Sequence, residues 1–123
     1  MHPDAKLIAF EVNPKFCVQL RRLSDERLIV VEDSAEFLPK YLAANNVEAL
    51  DAVISAIPFV SLPRQLAHTI VGLCRDALRV GAPFSQVHYS LIMKKIYAGI
   101  FGNVSVDFVP LNIPPAFVLT SRK

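Results

Sequence analysis

The chain has 123 residues, a mass of 13.6 kDa, 53% hydrophobic residues and a formal net charge of +2. That is one domain's worth of chain, apolar enough to take roughly two thirds of its unfolded surface out of water. A pI near 8.7 is too mild to point to nucleic acid, and no stretch approaches the ~20 apolar residues of a membrane span. Cys17 and Cys74 lie far apart with no Cys-x-x-Cys or Cys/His spacing. They are expected to be buried apolar fillers in a reducing compartment, with no metal site. Asp4 and Lys6 interrupt the first ten residues, which rules against a signal peptide and makes the cytoplasm the default location.

Lys6–Glu11 reads as a buried strand. Asn13 is a good N-cap and Pro14 suits a first helical position, so a helix is predicted from there through Leu23, with Phe16, Cys17, Leu20 and Leu23 at helical spacing. Arg27–Glu32 is a second strand rich in β-branched residues, ended by Asp33-Ser34. Pro39 starts a short helix that stops at Asn45-Asn46. Leu50–Ile57 is a third strand, broken by Pro58. Leu62–Arg79 is the clearest helix, with Leu66, Ile70, Leu73, Cys74, Ala77 and Leu78 on its apolar stripe and Gly81 beyond its end. Pro83–Tyr89 is a fourth strand, and Ser90–Phe101 a helix closed by Gly99 and Gly102. Val104–Val109 and Ala116–Thr120 form a final strand pair around the turn Asn112–Pro115.

Strands that alternate with helices, and early strands that are continuous apolar runs, predict an α/β fold. Its sheet is mostly parallel and covered on both faces, with an antiparallel hairpin at the C-terminal edge. Ligands of such sheets bind beyond the carboxyl ends of the strands. Those ends are Glu11, Asp33, Ser55–Phe59 and Tyr89.

Each end reads two ways. Glu11 can accept hydrogen bonds from two ribose hydroxyls, or be a solvated carboxylate near a positive helix terminus. Asp33-Ser34 can meet an adenine edge, or make a local turn and cap. Pro58 removes a backbone donor and swings the chain outward, which would leave the carbonyls of Ser55 to Ile57 open to a substrate amine. Phe59 would then stand as an aromatic wall worth about 0.5–2 kcal/mol to a cation. The plainer alternative is a strand-ending proline and a core phenylalanine. His68 reads as solvated, and either His88 or Tyr89 faces inward. No Ser/His/Asp order or paired-acid site emerges. Lys94-Lys95 mark either a helix lying on anionic lipid or an ordinary solvated edge.

Taken together, four segments resemble bacterial phospholipid N-methyltransferases, class I S-adenosylmethionine-dependent enzymes that are also similar to ribosomal RNA adenine dimethylases. They are Glu11-Val12-Asn13-Pro14, Asp33-Ser34-Ala35, Asp51 to Phe59 (Asp-Ala-Val-Ile-Ser-Ala-Ile-Pro-Phe), and Asn112-Ile113-Pro114-Pro115-Ala116. Gly81-Ala82-Pro83-Phe84 with Gln86 and Tyr89 adds to the likeness, which covers nearly the whole chain.

The resemblance implies a Rossmann-like methyltransferase core and S-adenosylmethionine as cofactor. Glu11, with Asn13 beside it, would hold the ribose, and Asp33 and Ser34 would sit at the adenine. Ser55, Pro58 and Phe59 would frame methyl transfer, with Tyr89 nearby. The implied acceptor is the amine of phosphatidylethanolamine at the inner face of the membrane. Relatives that modify a planar base carry Asn or Asp where Ser55 stands, so a lipid amine is expected rather than RNA. The family's glycine-rich loop and first, central strand would precede Met1, which makes this a truncated single domain of 1–123 with its first βα unit missing. Lys6–Glu11 and Leu50–Ile57 would then present open edges. The expected remedies are direct pairing, a homo-oligomer that covers the edges, or a longer parent chain. Besides the enzymatic reading stand a catalytically silent, partner-binding domain and a relative of RNA adenine methyltransferases.

Overall fold

The structure is a computed structural model and describes residues 2–123. It comprises two compact units, the first ending at Phe37 and the second spanning Leu38–Lys123.

In the first unit, strand β1 (Leu7–Phe10) pairs in parallel with β2 (Leu28–Val31), Leu7 opposite Leu28 and Phe10 opposite Val31. Helix α1 (Pro14–Arg21) joins them. Asn13 caps it by accepting from the Lys15 N–H at 3.0 Å, and Pro14 occupies the first turn, where its missing N–H costs nothing. The helix stops two residues before Leu23 because Ser24, at φ 50°, turns the chain left-handed. Leu23 is consequently 67% exposed rather than part of the stripe. Asp25 then grips Arg27 through both carboxylate oxygens, at 2.9 and 2.6 Å, which sets the entry into β2. Those hydrogen bonds hold its carboxyl well below the usual range. A single 3₁₀ turn, Ala35–Phe37, closes the unit.

The second unit runs α2 (Leu38–Ala44), β3 (Val53–Ser55), α3 (Arg64–Ala77), β4 (Pro83–His88), α4 (Lys94–Phe101), β5 (Ser105–Val109) and β6 (Ala116–Arg122). Its sheet has the order β3-β4-β6-β5. β3 and β4 are parallel, and β6 is antiparallel to both β4 and β5, so the C-terminal hairpin forms as expected. The third strand is far shorter than Leu50–Ile57. Leu50 makes an isolated bridge to Leu78 and the chain bends at Asp51, whose carboxylate accepts from Arg79 Nε at 2.7 Å. In α3 the buried face is Ala67, Ile70, Val71 and Cys74, an i, i+3, i+4, i+7 pattern that keeps Ile70 and Cys74 of the predicted stripe, while Leu66, Leu73 and Ala77 are half-buried. α4 starts at Lys94 rather than Ser90 and ends at Gly102, whose φ of 82° gives the left-handed cap that L side chains avoid. The core of this unit is aromatic. Phe84 of β4 meets Tyr97 edge-on at 5.5 Å and stacks on Phe101 at 5.4 Å, with Leu119 of β6 fully buried.

β1 and β3 belong to different sheets, and each has one strand partner among the described residues. Among the described residues no helix is long and apolar enough to cross a membrane, and no group of three His, Cys, Asp or Glu could hold a metal ion. Both cysteines are buried thiols, and burial pushes Cys74 up to about 12.

Candidate functional site

The first unit brings its two acidic strand ends side by side. The Glu11 N–H donates to the Val31 carbonyl at 3.0 Å, so Glu11 follows β1 at the level where β2 gives way to Glu32 and Asp33. The half-buried Glu11 carboxylate accepts from the Asn13 N–H at 3.1 Å, while Asn13 caps α1. One short turn thus orients an acid and starts a helix. Cys17, wholly buried, donates its thiol to the Glu11 carbonyl at 3.3 Å and pins that turn from behind. Burial first, then the nearby Glu32 carboxylate, push this thiol upward, so it stays protonated and able to donate. Asp33 and Ser34 cap the 3₁₀ turn. Asp33 Oδ1 accepts from the Ser34 N–H at 2.8 Å and Ser34 Oγ from the Glu36 N–H at 3.3 Å, the local role that competes with adenine binding.

The second unit builds its site around the end of β3. Ser55 Oγ accepts from the Ile57 N–H at 3.2 Å. Pro58, at φ −77° and ψ 69°, makes an inverse γ-turn in which the Phe59 N–H donates to the Ile57 carbonyl at 2.8 Å. The same carbonyl accepts from Gln86 Nε2 at 2.9 Å. Ile57 therefore has both lone pairs engaged and is not open to a substrate amine, contrary to the expectation for Ser55 to Ile57. Ala56 is exposed, and its carbonyl is bonded to none of the described residues. Phe59 is 2% exposed, a core side chain rather than an open wall. Tyr89 stands one residue beyond β4 and is 63% exposed.

Gln86, which the sequence offered only as part of the likeness and without a role, stands at the centre of this turn. It lies opposite Ser55 in the β3–β4 register and is fully buried. Its Nε2 also donates to the Val87 carbonyl at 3.1 Å, so two acceptors fix which way the amide points. Its Oε1 is buried with no partner among the described residues, a condition that costs about 1–3 kcal/mol. The available signal was a glutamine between Phe84 and His88 on the inward face of an apolar strand.

His88, not Tyr89, is the inward residue. Its Nε2 lies 2.6 Å from the Tyr97 hydroxyl, a hydrogen bond between a buried imidazole and a phenol. Burial holds His88 below its ordinary pKa. An imidazole that resists protonation in the folded state contributes stability that is complete above ~6.5 and lost as pH falls below that value. Urea unfolding should therefore show lower stability at pH 5 than at pH 7, and His88→Gln should flatten the difference. In the first unit a cavity of about 260 Å³ is lined by Leu20, Asp25 and Leu28 and by neither Glu11 nor Asp33, and in the second one of about 290 Å³ is lined by Asn103, Ser105 and Arg122 and by neither Ser55 nor Tyr89.

No family model matches the chain. Among curated proteins it is similar to an ornithine lipid N-methyltransferase of Singulisphaera acidiphila, 29% identical over 119 residues, which covers 94% of this chain. The chain spans 62% of that relative's length. Among solved structures it resembles an rRNA methylase from Streptococcus thermophilus, with a TM-score of 0.68, 21% identity and coverage of 96% of this chain and 73% of the other. It also resembles an N-methyltransferase from Bradyrhizobium japonicum in complex with S-adenosyl-L-homocysteine, with a TM-score of 0.71, 8% identity and coverage of 96% and 66%. The α/β architecture is that of Rossmann-like methyltransferases.

Proposed function

We propose that this chain is the greater part of an S-adenosylmethionine-dependent N-methyltransferase whose acceptor is a membrane lipid with a primary amine. Phosphatidylethanolamine and an ornithine lipid share that group. The observation that carries the reading is the likeness to a lipid N-methyltransferase over 94% of the chain, and the strand ends supply chemistry that suits it. A half-buried carboxylate already oriented by the Asn13 N–H fits a pair of ribose hydroxyls, which need an acceptor and bring their own donors. When bound, the cofactor supplies an electrophilic methyl on a sulfonium.

The chain's own groups orient the partners and exclude water. Glu11 holds the ribose, and the Asp33-Ser34 turn lies at the nucleobase. The Ala56 carbonyl accepts from the acceptor amine, and Ser55 and Gln86 hold the turn that presents it. Ser55 carries a single hydroxyl whose oxygen accepts from the Ile57 N–H, and one hydroxyl offers no bidentate edge to a planar base. An alkylamine needs none.

Calorimetric titration of S-adenosylmethionine tests the cofactor, and labelled methyl transfer to lipid vesicles tests the acceptor. Glu11→Ala should weaken cofactor binding at least about tenfold, since a hydrogen bond to a charged group is worth about 1.5–3 kcal/mol. Methyl should pass to phosphatidylethanolamine or ornithine lipid and not to phosphatidylcholine, whose nitrogen has no proton to lose. A chain that binds no cofactor would overturn the methyltransferase reading. Transfer to RNA but to no lipid would overturn the acceptor.

A further inference from the structure

The turn from β5 to β6 carries the two most exposed large apolar side chains among the described residues, Ile113 at 97% and Leu111 at 93%, with Phe108 and Val109 exposed in the strand that leads to it. Single exposed leucines are ordinary. Two bare aliphatic side chains on a six-residue tip form a patch that calls for a partner.

The backbone of this tip is poor in hydrogen-bond donors. Pro110, Pro114 and Pro115 have no N–H. The Asn112 N–H points to the Val109 carbonyl at 3.4 Å, and its side-chain amide donates to the Pro114 carbonyl at 2.7 Å. Leu111 and Ile113 bring the other backbone N–H groups of the tip, so few donors lose water where it meets a lipid surface, while its carbonyls keep the hydrated headgroup side.

The sheet register places the tip with the acceptor-side groups. Val109 opposes Ala116 and Phe117 opposes His88, so the tip projects from the end of the sheet at which β4 and its parallel neighbour β3 finish. Tyr89, Leu91 and Ile92 are exposed just beyond β4 at that end, followed by the exposed Lys94 and Lys95 at the start of α4. Asp107 is the only acid after Asp76 in the whole chain. Aliphatic side chains, an interfacial tyrosine and lysines with little opposing charge match an anionic lipid surface.

We infer that the β5–β6 tip, led by Leu111 and Ile113, inserts into the surface of an anionic phospholipid bilayer, with Lys94 and Lys95 at the headgroups. Docking there brings the end of β3, where the Ala56 carbonyl lies, toward the lipid amines, and for that purpose it rests on the lipid-amine reading above. The docking itself needs no cofactor.

The test is co-flotation of the full chain with vesicles of phosphatidylethanolamine and phosphatidylglycerol, without cofactor. Leu111→Asp with Ile113→Asp should lower vesicle binding at least about tenfold, as expected when two aliphatic side chains lose their burial. Val80→Asp, an 89% exposed apolar position at the opposite, amino end of β4, should stay within about twofold of the parent. The chain has no tryptophan, so Ile113→Trp gives a single reporter, and its emission should shift to the blue on adding vesicles. A parent chain that does not float, or a tip double variant that floats as well as the parent, would overturn the proposal. So would a double variant that splits an oligomer and leaves vesicle binding intact, because the tip would then be a protein contact. Vesicle binding without S-adenosylmethionine binding would fail the methyltransferase reading alone. Cofactor binding without flotation would fail the docking alone.

Discussion

Phe84→Ala should lower the free energy of unfolding by about 3–5 kcal/mol, the range for truncating a buried phenylalanine. Phe84 is completely buried at the second position of β4. It joins the sheet to α4 by an edge contact with Tyr97 and a stacked contact with Phe101. Truncation removes both contacts at once and leaves a void between a strand and a helix that other bonds hold in place, so collapse around the gap is incomplete. Urea unfolding followed by circular dichroism is the measurement. A loss below about 1 kcal/mol would mean that this aromatic cluster is not the centre of the unit.

The second large effect is expected for Gln86→Glu, and its mark is a pH dependence. The Gln86 amide donates to the Ile57 and Val87 carbonyls from a fully buried position. A carboxyl in the same place can donate only while protonated, and once ionised it faces two carbonyl oxygens without solvent. Its folded-state pKa must therefore rise above the unfolded value of ~4.3. Between those two values the folded state binds more protons than the unfolded state, so stability falls as pH rises, by about 1.4 kcal/mol per pH unit. Gln86→Leu removes the donor together with the orphaned Oε1, so its loss should be near 1 kcal/mol and independent of pH. Parallel urea titrations at pH 5 and pH 7 separate the two variants. Equal losses for Gln86→Glu at both pH values would show that the residue is solvated and that it does not hold the Ile57 turn.

The strands, helices and hairpin were legible because they follow from local rules. Asn13-Pro14 starts a helix wherever it stands, the β-branched run at Leu28–Val31 forms a strand, and Gly102 ends a helix. The boundaries were less legible. Nothing local reveals that Ser24 takes a positive φ, or that the chain bends at Asp51 so that β3 keeps only Val53–Ser55. The strand-end positions of Glu11, Asp33, Ser55 and Tyr89 were also readable from the alternation of elements. The state of their polar groups was not, because partners such as Gln86 for Ile57 and Tyr97 for His88 come from other elements.

By itself, then, the sequence determined which segments are helix and strand and which residues end the strands, since propensity, capping and periodicity act within a few residues of each other. The tertiary structure alone decided which of those residues can still meet a ligand. It closed the Ile57 carbonyl with a side chain 29 positions away, buried Phe59 and His88, and left Ala56, Leu111 and Ile113 open. Hydrogen-bond saturation and burial depend on what packs across the sheet, and that information is spread over the whole chain.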